Sequence, residues 1–285
     1  MIPTPSYKGK VRDVFDLGDS LLLVATDRIS AFDVVFEEPV LDKGKILTRI
    51  STAWFRQFPN IENHLITDDF TQFPPPFQKE DSLQGRSVLV KKAKRINFEC
   101  VVRGYLTGSA WKEYKSEGTI AHVAYPKGLQ ESYRFETPIF TPARKNDSGH
   151  DENVSESTME KEVGETLYSE LKSLSLAIYN KAHVLMAKQG ILLCDTKFEF
   201  GLIDGKPILI DEILTPDSSR YWDASTYELG KTPASFDKQI LRNWLESTDW
   251  DKNPPAPHLP ESLILELRKK YLELEDKITL CLSQK

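Results

Sequence analysis

The sequence is short of the residues that build metal fingers, disulfide scaffolds or membrane spans. Three cysteines (Cys100, Cys194, Cys281) and five histidines are scattered through 285 residues. With no Cys-x-x-Cys or His-x-His spacing a structural zinc site is not expected, and an odd count of three cysteines favours free thiols over a disulfide framework. No apolar run approaches the ~20 residues of a transmembrane helix; the longest, around 21–25 and 191–194, are strand-sized. The N-terminal segment lacks the basic-then-apolar order of a signal peptide. Two of the odd thiols lie inside apolar runs and read as buried and reduced, so the expected location is the cytoplasm. Positive charge is scarce too: 37 Lys+Arg against 43 Asp+Glu give a net charge of −6. A nucleic-acid surface needs a strongly basic face, so none is expected. A cationic pocket inside an acidic exterior remains allowed.

What is present is ordinary globular composition, 40% hydrophobic and 28% charged, with ample chain to bury a core. Residues 7–16 and 21–26 read as an N-terminal hairpin, and 87–94 with 98–106 as a second. Between them, apolar spacing through Ile46, Leu47, Ile50, Trp54 and Phe58 predicts a helix over 45–57. Residues 126–156 lack periodicity and read as one long functional loop. Ser157 with Glu160 matches a capping box, and a long helix follows Gly164 until Gly190 stops it. Residues 191–213 read as a third hairpin, and 235–245 and 261–282 as C-terminal helices.

The third hairpin concentrates the chemistry. If Asp204-Gly205-Lys206 forms a three-residue loop, Phe200 faces Ile210, Leu202 faces Ile208, and Glu199 lies across from Asp211 with Lys197 nearby. Facing carboxylates repel unless a cation separates them, and Mg²⁺ held by two carboxylates plus substrate phosphates is the natural partner. Taken alone, the pair reads equally well as a solvated polar face with Lys197 neutralising one acid.

Elsewhere, Gly9 sits between Lys8, Lys10 and Arg12, a turn where backbone and cations could approach phosphate. Arg103 and Ser109 precede a helix start, a place suited to anions or to a plain N-cap at Ser109. Ser218, Ser219 and Arg220 follow the third hairpin closely, Lys145 and Asp151 share a polar loop, and Asp33 follows a strand end. No nucleophile–base dyad accompanies these signals. Together they suit phosphoryl transfer, where catalysis is positioning and charge stabilisation. A small-molecule kinase and a non-catalytic nucleotide-binding module are the competing readings.

Several motifs occur in a familiar order: Tyr7-Lys-Gly-Lys-Val-Arg-Asp13, Ser30-Ala-Phe-Asp33, Glu99-Cys-Val-Val-Arg-Gly-Tyr-Leu-Thr-Gly-Ser109, His150-Asp-Glu-Asn153, Asp195-Thr-Lys-Phe-Glu-Phe-Gly201, and Asp211-Glu212 followed by Pro216-Asp-Ser-Ser-Arg-Tyr-Trp-Asp223. The chain thereby resembles the SAICAR synthetase family across roughly 7–245. The resemblance implies an α+β fold: an antiparallel kinase-like nucleotide-binding lobe with a glycine loop over 1–100, a mixed central substrate and metal domain over 101–230, and C-terminal helices over 231–285. It implies a ligase that uses ATP, with Mg²⁺, to join L-aspartate to 5-aminoimidazole-4-carboxylic acid ribonucleotide (CAIR) through an acyl phosphate. By the same resemblance Gly9, Lys10, Val11 and Arg12 cover the ATP phosphates, and Lys91 and Glu99 lie toward adenosine. Glu199 and Asp211 hold the metal. Asp195 and Lys197 act in catalysis, with Asp33, Arg103, Ser109, Lys145, Asp151, Ser218 and Arg220 on the substrate side. Arg103 is followed by Gly-Tyr-Leu-Thr where short bacterial members carry Asn-Arg and small residues. That difference and the longer C-terminal helix match the long branch, which implies a monomer.

Overall fold

The computed structural model describes residues 2–146 and 151–283. In chain order, β1 (Tyr7–Lys8), β2 (Arg12–Asp16) and β3 (Ser20–Ala25) lead through a ribbon of β4 (Ser30–Ala31) and β5 (Val34–Val35) into α1 (Lys43–Gln57); β6 (Leu65–Thr67) and β7 (Ser87–Lys91) follow. These build a five-stranded sheet in the order β1-β2-β3-β7-β6. Then come β8 (Lys94–Tyr105), α2 (Gly108–Glu117), a ribbon of β9 (Thr119–Ile120) and β10 (Val123–Ala124), β11 (Arg134–Phe140), β12 (Ala143–Arg144) and β13 (Glu152–Asn153). The chain continues through α3 (Glu156–Val163), α4 (Glu165–Ala187), β14 (Ile191–Ile203), β15 (Lys206–Ile210), β16 (Ser219–Asp223), α5 (Gln239–Glu246) and α6 (Glu261–Ser283). Here β13-β12-β8-β14-β15 form a second, seven-stranded antiparallel sheet, joined by β11 on β8 and β16 on β14. Antiparallel sheets with helices packed against them make the chain α+β.

The core follows the apolar periodicity. Ile50 and Trp54 of α1, Ile178 and Tyr179 of α4, Phe198 and Phe200 of β14, and Tyr271 and Leu274 of α6 bury together behind the second sheet. Burying each such side chain contributes about 1.5–3 kcal/mol before entropy is charged. A smaller cluster of Phe15, Leu22, Val24, Phe73, Phe77 and Leu83 backs the first sheet. All three cysteines are free and buried.

Several sequence expectations need correction. Segments 87–94 and 98–106 do not form a hairpin: β7 pairs with β3 and β6, while β8 pairs with β14, β11 and β12. The short stretch between them carries the chain from one sheet to the other, a long-range outcome that local turn chemistry does not encode. The expected loop at 126–156 contains β11, β12 and β13. These are short or bulged strands held by their pairing to β8 or to each other, with too little regular alternation to announce themselves. The cap of α3 is Ser155, whose hydroxyl accepts from the Thr158 N–H, two residues ahead of the expected box. For α2 the N-cap is Thr107 rather than Ser109.

The third hairpin exists, but its register differs by one. Asp204 and Gly205 alone form the turn, both at positive φ, so Ile203 pairs with Lys206 and Glu199 with Ile210. Asp-Gly at these two positions suits a type I′ turn, whose twist matches the strands. The expected three-residue loop assumed one apolar and one solvated face. In fact Ile208 and Leu209, pointing to opposite faces, are both buried, so burial does not choose between registers. Glu199 therefore does not face Asp211 across the hairpin. Its carboxylate neighbour is Glu99, directly opposite on β8.

Candidate active site

The site is assembled on the central strand pair β8–β14. Alternation along β14 sends Phe198 and Phe200 to the core and leaves Asp195, Lys197 and Glu199 on the other face. Opposite them on β8 stand Arg103, Val101 and Glu99. Two clusters result, one at each end of this short polar row.

At one end, two carboxylates share two lysines. Glu99 is 7% exposed; Lys197 Nζ lies 3.0 Å from its Oε1 and Lys145 Nζ 3.4 Å from the same atom. Lys145 also reaches Glu199 Oε1 at 2.5 Å, so one ammonium bridges the facing acids. Burial pushes the Glu99 carboxyl up, but Lys197 and Lys145 pull it below its ordinary value. Burial and the Glu99 charge raise Asp151 instead, whose side chain accepts from the Asn146 N–H at 3.1 Å. Lys197 stays protonated because Glu99, and beyond it Glu199 and Asp151, outweigh the cost of burial. Its side chain is nonetheless 44% exposed.

At the other end, one carboxylate holds two guanidiniums. Asp195 Oδ2 accepts from Arg103 Nη1 at 2.9 Å and from Arg220. Arg103 completes its fork with Thr141 Oγ1 at 2.9 Å and Ser109 Oγ at 3.1 Å. Two cations on one buried acid leave a surplus positive charge, and the buried Arg220 Nε has no partner among the described residues. Gly108 makes room for this: at φ +61°, a Cβ there would sit 2.3 Å from Arg220 Nη2. Guanidiniums held in this way have the geometry and charge to take an oxyanion.

The glycine turn approaches from the first sheet. The Gly9 N–H donates to the Arg12 carbonyl at 2.7 Å, and Arg28 braces the turn through the carbonyls of Gly9 and Lys10, both at 3.1 Å. Lys10 pairs with Asp33, while Val11 lies within the turn and its carbonyl accepts from Thr26. Arg12 pairs with Asp211, and with Glu212 at 3.1 Å. Arg12, Asp211 and Glu212 border a small cleft with Leu23, Ala25, Val88, Leu47 and Phe55 among its apolar lining. Thr48, Ser51, Thr52 and Arg86 add polar groups to this lining, and apolar walls with a few polar groups are the usual make-up of a small-molecule site. Val88 lines this cleft, whereas Lys91 of the same strand is exposed and Glu99 belongs to the lysine–carboxylate cluster.

Asp211 stands past the end of β15 at φ +63°. Its carbonyl meets His64 Nε2 at 3.1 Å, which fixes the proton on that nitrogen because a carbonyl only accepts. Burial first, then Arg12 and Lys91, lower the His64 ring from 6.5 to about 3. The unfolded chain therefore binds this proton at higher pH than the folded one. Stability is expected to fall as pH drops from about 6.5 toward 3. Denaturation midpoints measured against pH should show that slope, and His64→Gln should flatten it.

Ser218 is spent locally, its hydroxyl accepting from the Thr215 N–H at 3.2 Å, and its carbonyl receives the Lys197 N–H at 3.0 Å. His150 of the expected 150–153 motif lies outside the described residues. Sequence reading gave no role to Asp217, which is buried with Lys43 Nζ at 2.7 Å, Lys238 Nζ at 3.5 Å and the Tyr271 hydroxyl at 3.0 Å. Its two lysines hold the carboxyl well below its ordinary range against the effect of burial. The signal was present, since Asp217 stands inside the Pro-Asp-Ser-Ser-Arg run. Its partners come from three distant segments that nothing local connects. Thr141 and His64 were missed for the same reason.

The donor chemistry of the expected metal pair suits Mg²⁺. Glu199 and Asp211 are hard oxygen donors, and each is neutralised here by a side-chain cation, Lys145 and Arg12 respectively. Among the described residues no group of three or more His, Cys, Asp or Glu side chains is arranged around one metal position. Mg²⁺ commonly uses only one or two carboxylates beside substrate phosphates, so a sparse protein ligand set is consistent with it.

Comparison with known proteins agrees with the motif order. The family model described as SAICAR synthetase matches residues 5–257. The phosphoribosylaminoimidazole-succinocarboxamide synthase of Leptospira interrogans is 59% identical over 281 residues, covering 99% of each chain; that of Elusimicrobium minutum is 52% identical over 275 residues, covering 95% of this chain and 94% of its own. A solved SAICAR synthase from Saccharomyces cerevisiae, complexed with SAICAR, is 40% identical with a TM-score of 0.86, covering 96% of this chain and 94% of that one. A solved SAICAR synthetase in complex with ADP is 25% identical with a TM-score of 0.69, covering 96% and 97%. The chain belongs to the SAICAR synthetase family.

Proposed function

We propose that this chain ligates L-aspartate to the carboxylate of CAIR at the expense of ATP, giving SAICAR, ADP and phosphate in purine biosynthesis. The single observation that carries the reading is the polar row on β8 and β14. There Asp195 with its two guanidiniums makes an anion receptor one sheet row away from the Glu99–Lys145–Glu199–Lys197 cluster. The receptor suits the phosphate of a ribonucleotide, which would put the rest of that substrate over the lysines. The SAICAR bound to the yeast relative and the ADP bound to the second structure support the same pair of ligands.

The chemistry explains why ATP is needed. A carboxylate oxygen is a very poor leaving group, so the amine of aspartate does not displace it directly. In our reading a CAIR carboxylate oxygen attacks the γ-phosphorus and ADP departs. The aspartate amine then attacks the acyl carbon, and phosphate leaves carrying that oxygen. Arg12 and Lys10, beside the Gly9 turn, hold the ATP phosphates; Lys197, kept charged by Glu99, faces the negative charge that grows on the transferred group. Glu199 and Asp211 would hold Mg²⁺, which supplies charge neutralisation between the phosphates. As the phosphates arrive, Lys145 and Arg12 would exchange these acids for phosphate oxygens. Asp33, Ser109, Asp151 and Ser218 border the substrates in this reading.

Among the described residues no helix is long and apolar enough to cross a membrane. A cytoplasmic, monomeric enzyme is part of the proposal; the three free, buried cysteines support the reducing location. The test is ADP release by the purified protein with ATP, Mg²⁺ and CAIR, with and without aspartate. Aspartate-dependent ADP with a stoichiometric C–N product is expected. ADP accumulating equally without aspartate would favour a kinase, and no ADP under either condition a binding module.

A further inference from the structure

We propose that Arg242 on α5 is a substrate-binding residue that takes a carboxylate of aspartate. The assignment rests on the ligase reading above and goes beyond the motifs that support it. α5 is fastened to the site from its first turn. Asp237, just ahead of it, accepts from the Tyr221 N–H at 3.1 Å and the Gln239 N–H at 2.8 Å, and Tyr221 directly follows the receptor residue Arg220. Lys238 Nζ lies 3.5 Å from Asp217 Oδ1, so this face of the helix is turned toward the 215–220 segment. Arg242 is one turn further on, its N–H donating to the Lys238 carbonyl at 3.0 Å. Residues four apart share a helix face, so Arg242 projects to the same side.

Its surroundings lack the anion it needs. Arg242 is only partly exposed, yet among the described residues its guanidinium makes no hydrogen bond and no ion pair. Burial and then Arg220 work against its charge; the acids that support it are Asp237 and Asp195. Both are already committed, Asp195 to Arg103 and Arg220, Asp237 to two backbone N–H groups and the Ser235 hydroxyl at 2.5 Å. An unpaired guanidinium beside a second one costs stability. That cost is removed when an oxyanion arrives.

The identity of the oxyanion follows from which cations are spoken for. Arg103, Arg220 and Ser109 already converge as one receptor around Asp195, enough for the single phosphate of CAIR. Lys145, Lys197 and Arg12 are already paired with Glu99, Glu199 and Asp211. Aspartate brings two carboxylates, each a planar match for a guanidinium fork. Arg242 is the neighbouring fork without a partner.

The experiment measures KM for aspartate and for CAIR separately, together with thermal midpoints, in the wild type, Arg242→Gln and Arg242→Lys. Arg242→Gln should raise the KM for aspartate roughly 10- to 100-fold, the range of a lost charged hydrogen bond, with the CAIR KM and kcat within about twofold. Arg242→Lys should recover part of that loss. The midpoint of Arg242→Gln should equal or exceed that of the wild type, since no ion pair is lost and a repulsion with Arg220 is relieved. An unchanged aspartate KM, a rise confined to CAIR, or a lowered midpoint with all parameters falling together would each overturn the assignment. A wild type whose ADP release ignores aspartate would overturn the ligase reading, and this assignment with it.

Discussion

Asp195→Asn is expected to lose about 3–5 kcal/mol of folding stability, the usual cost of breaking a buried ion pair from one side, and to abolish turnover. The aspartate is 7% exposed and lies between Arg103, itself 5% exposed, and Arg220. Neutralising it leaves two adjacent guanidiniums in a poorly hydrated place with no counter-charge. Asparagine keeps the shape and a hydrogen-bond acceptor, so the loss reports charge and not volume. Urea denaturation of the two proteins measures the first effect and ADP release the second. A loss under about 1 kcal/mol would mean that solvent screens this pair as it screens surface pairs. The receptor would then be far looser than its geometry indicates.

The second large effect is expected at Glu199. Glu199→Gln should cut kcat on the order of 10³-fold, the scale seen when a preorganised charged group is lost from a transition-state site, while the denaturation midpoint changes little. The contrast with Asp195 comes from solvation. Lys145 keeps Glu99 as a partner at 3.4 Å, so removing the Glu199 charge strands nothing. In our reading the charge matters only once phosphates and Mg²⁺ share the site. A near-normal kcat would remove Glu199 from the metal role, and Asp211→Asn offers the parallel check.

How much of this was legible beforehand differs between the fold and the site. The helices over 43–57, 165–187 and 261–283 follow from apolar spacing and their terminating residues. The 191–210 hairpin follows from alternation around Asp-Gly. Its register did not, because both faces of β15 are covered and burial gives no preference; the turn type decides instead. The expected Glu199–Asp211 pair thus followed from a wrong register, and the structure substitutes Glu199 opposite Glu99, a pairing between strands nearly a hundred residues apart in sequence. Arg103, Asp195 and Arg220 were each singled out in the sequence, yet that they share one carboxylate shows only in the strand pairing. Lys43, His64, Thr141 and Arg242 left no local trace. They act by reaching across the fold, and periodicity reports only on neighbours.

The central claim is that ATP activates the CAIR carboxylate by making its oxygen part of the departing phosphate. The measurement is turnover of CAIR labelled with ¹⁸O in its carboxylate, followed by mass analysis of the phosphate released in the presence of ATP and aspartate. The account predicts one labelled oxygen in each phosphate and the other retained in the amide carbonyl of the product. Phosphate that emerges without label while the C–N product forms would contradict it.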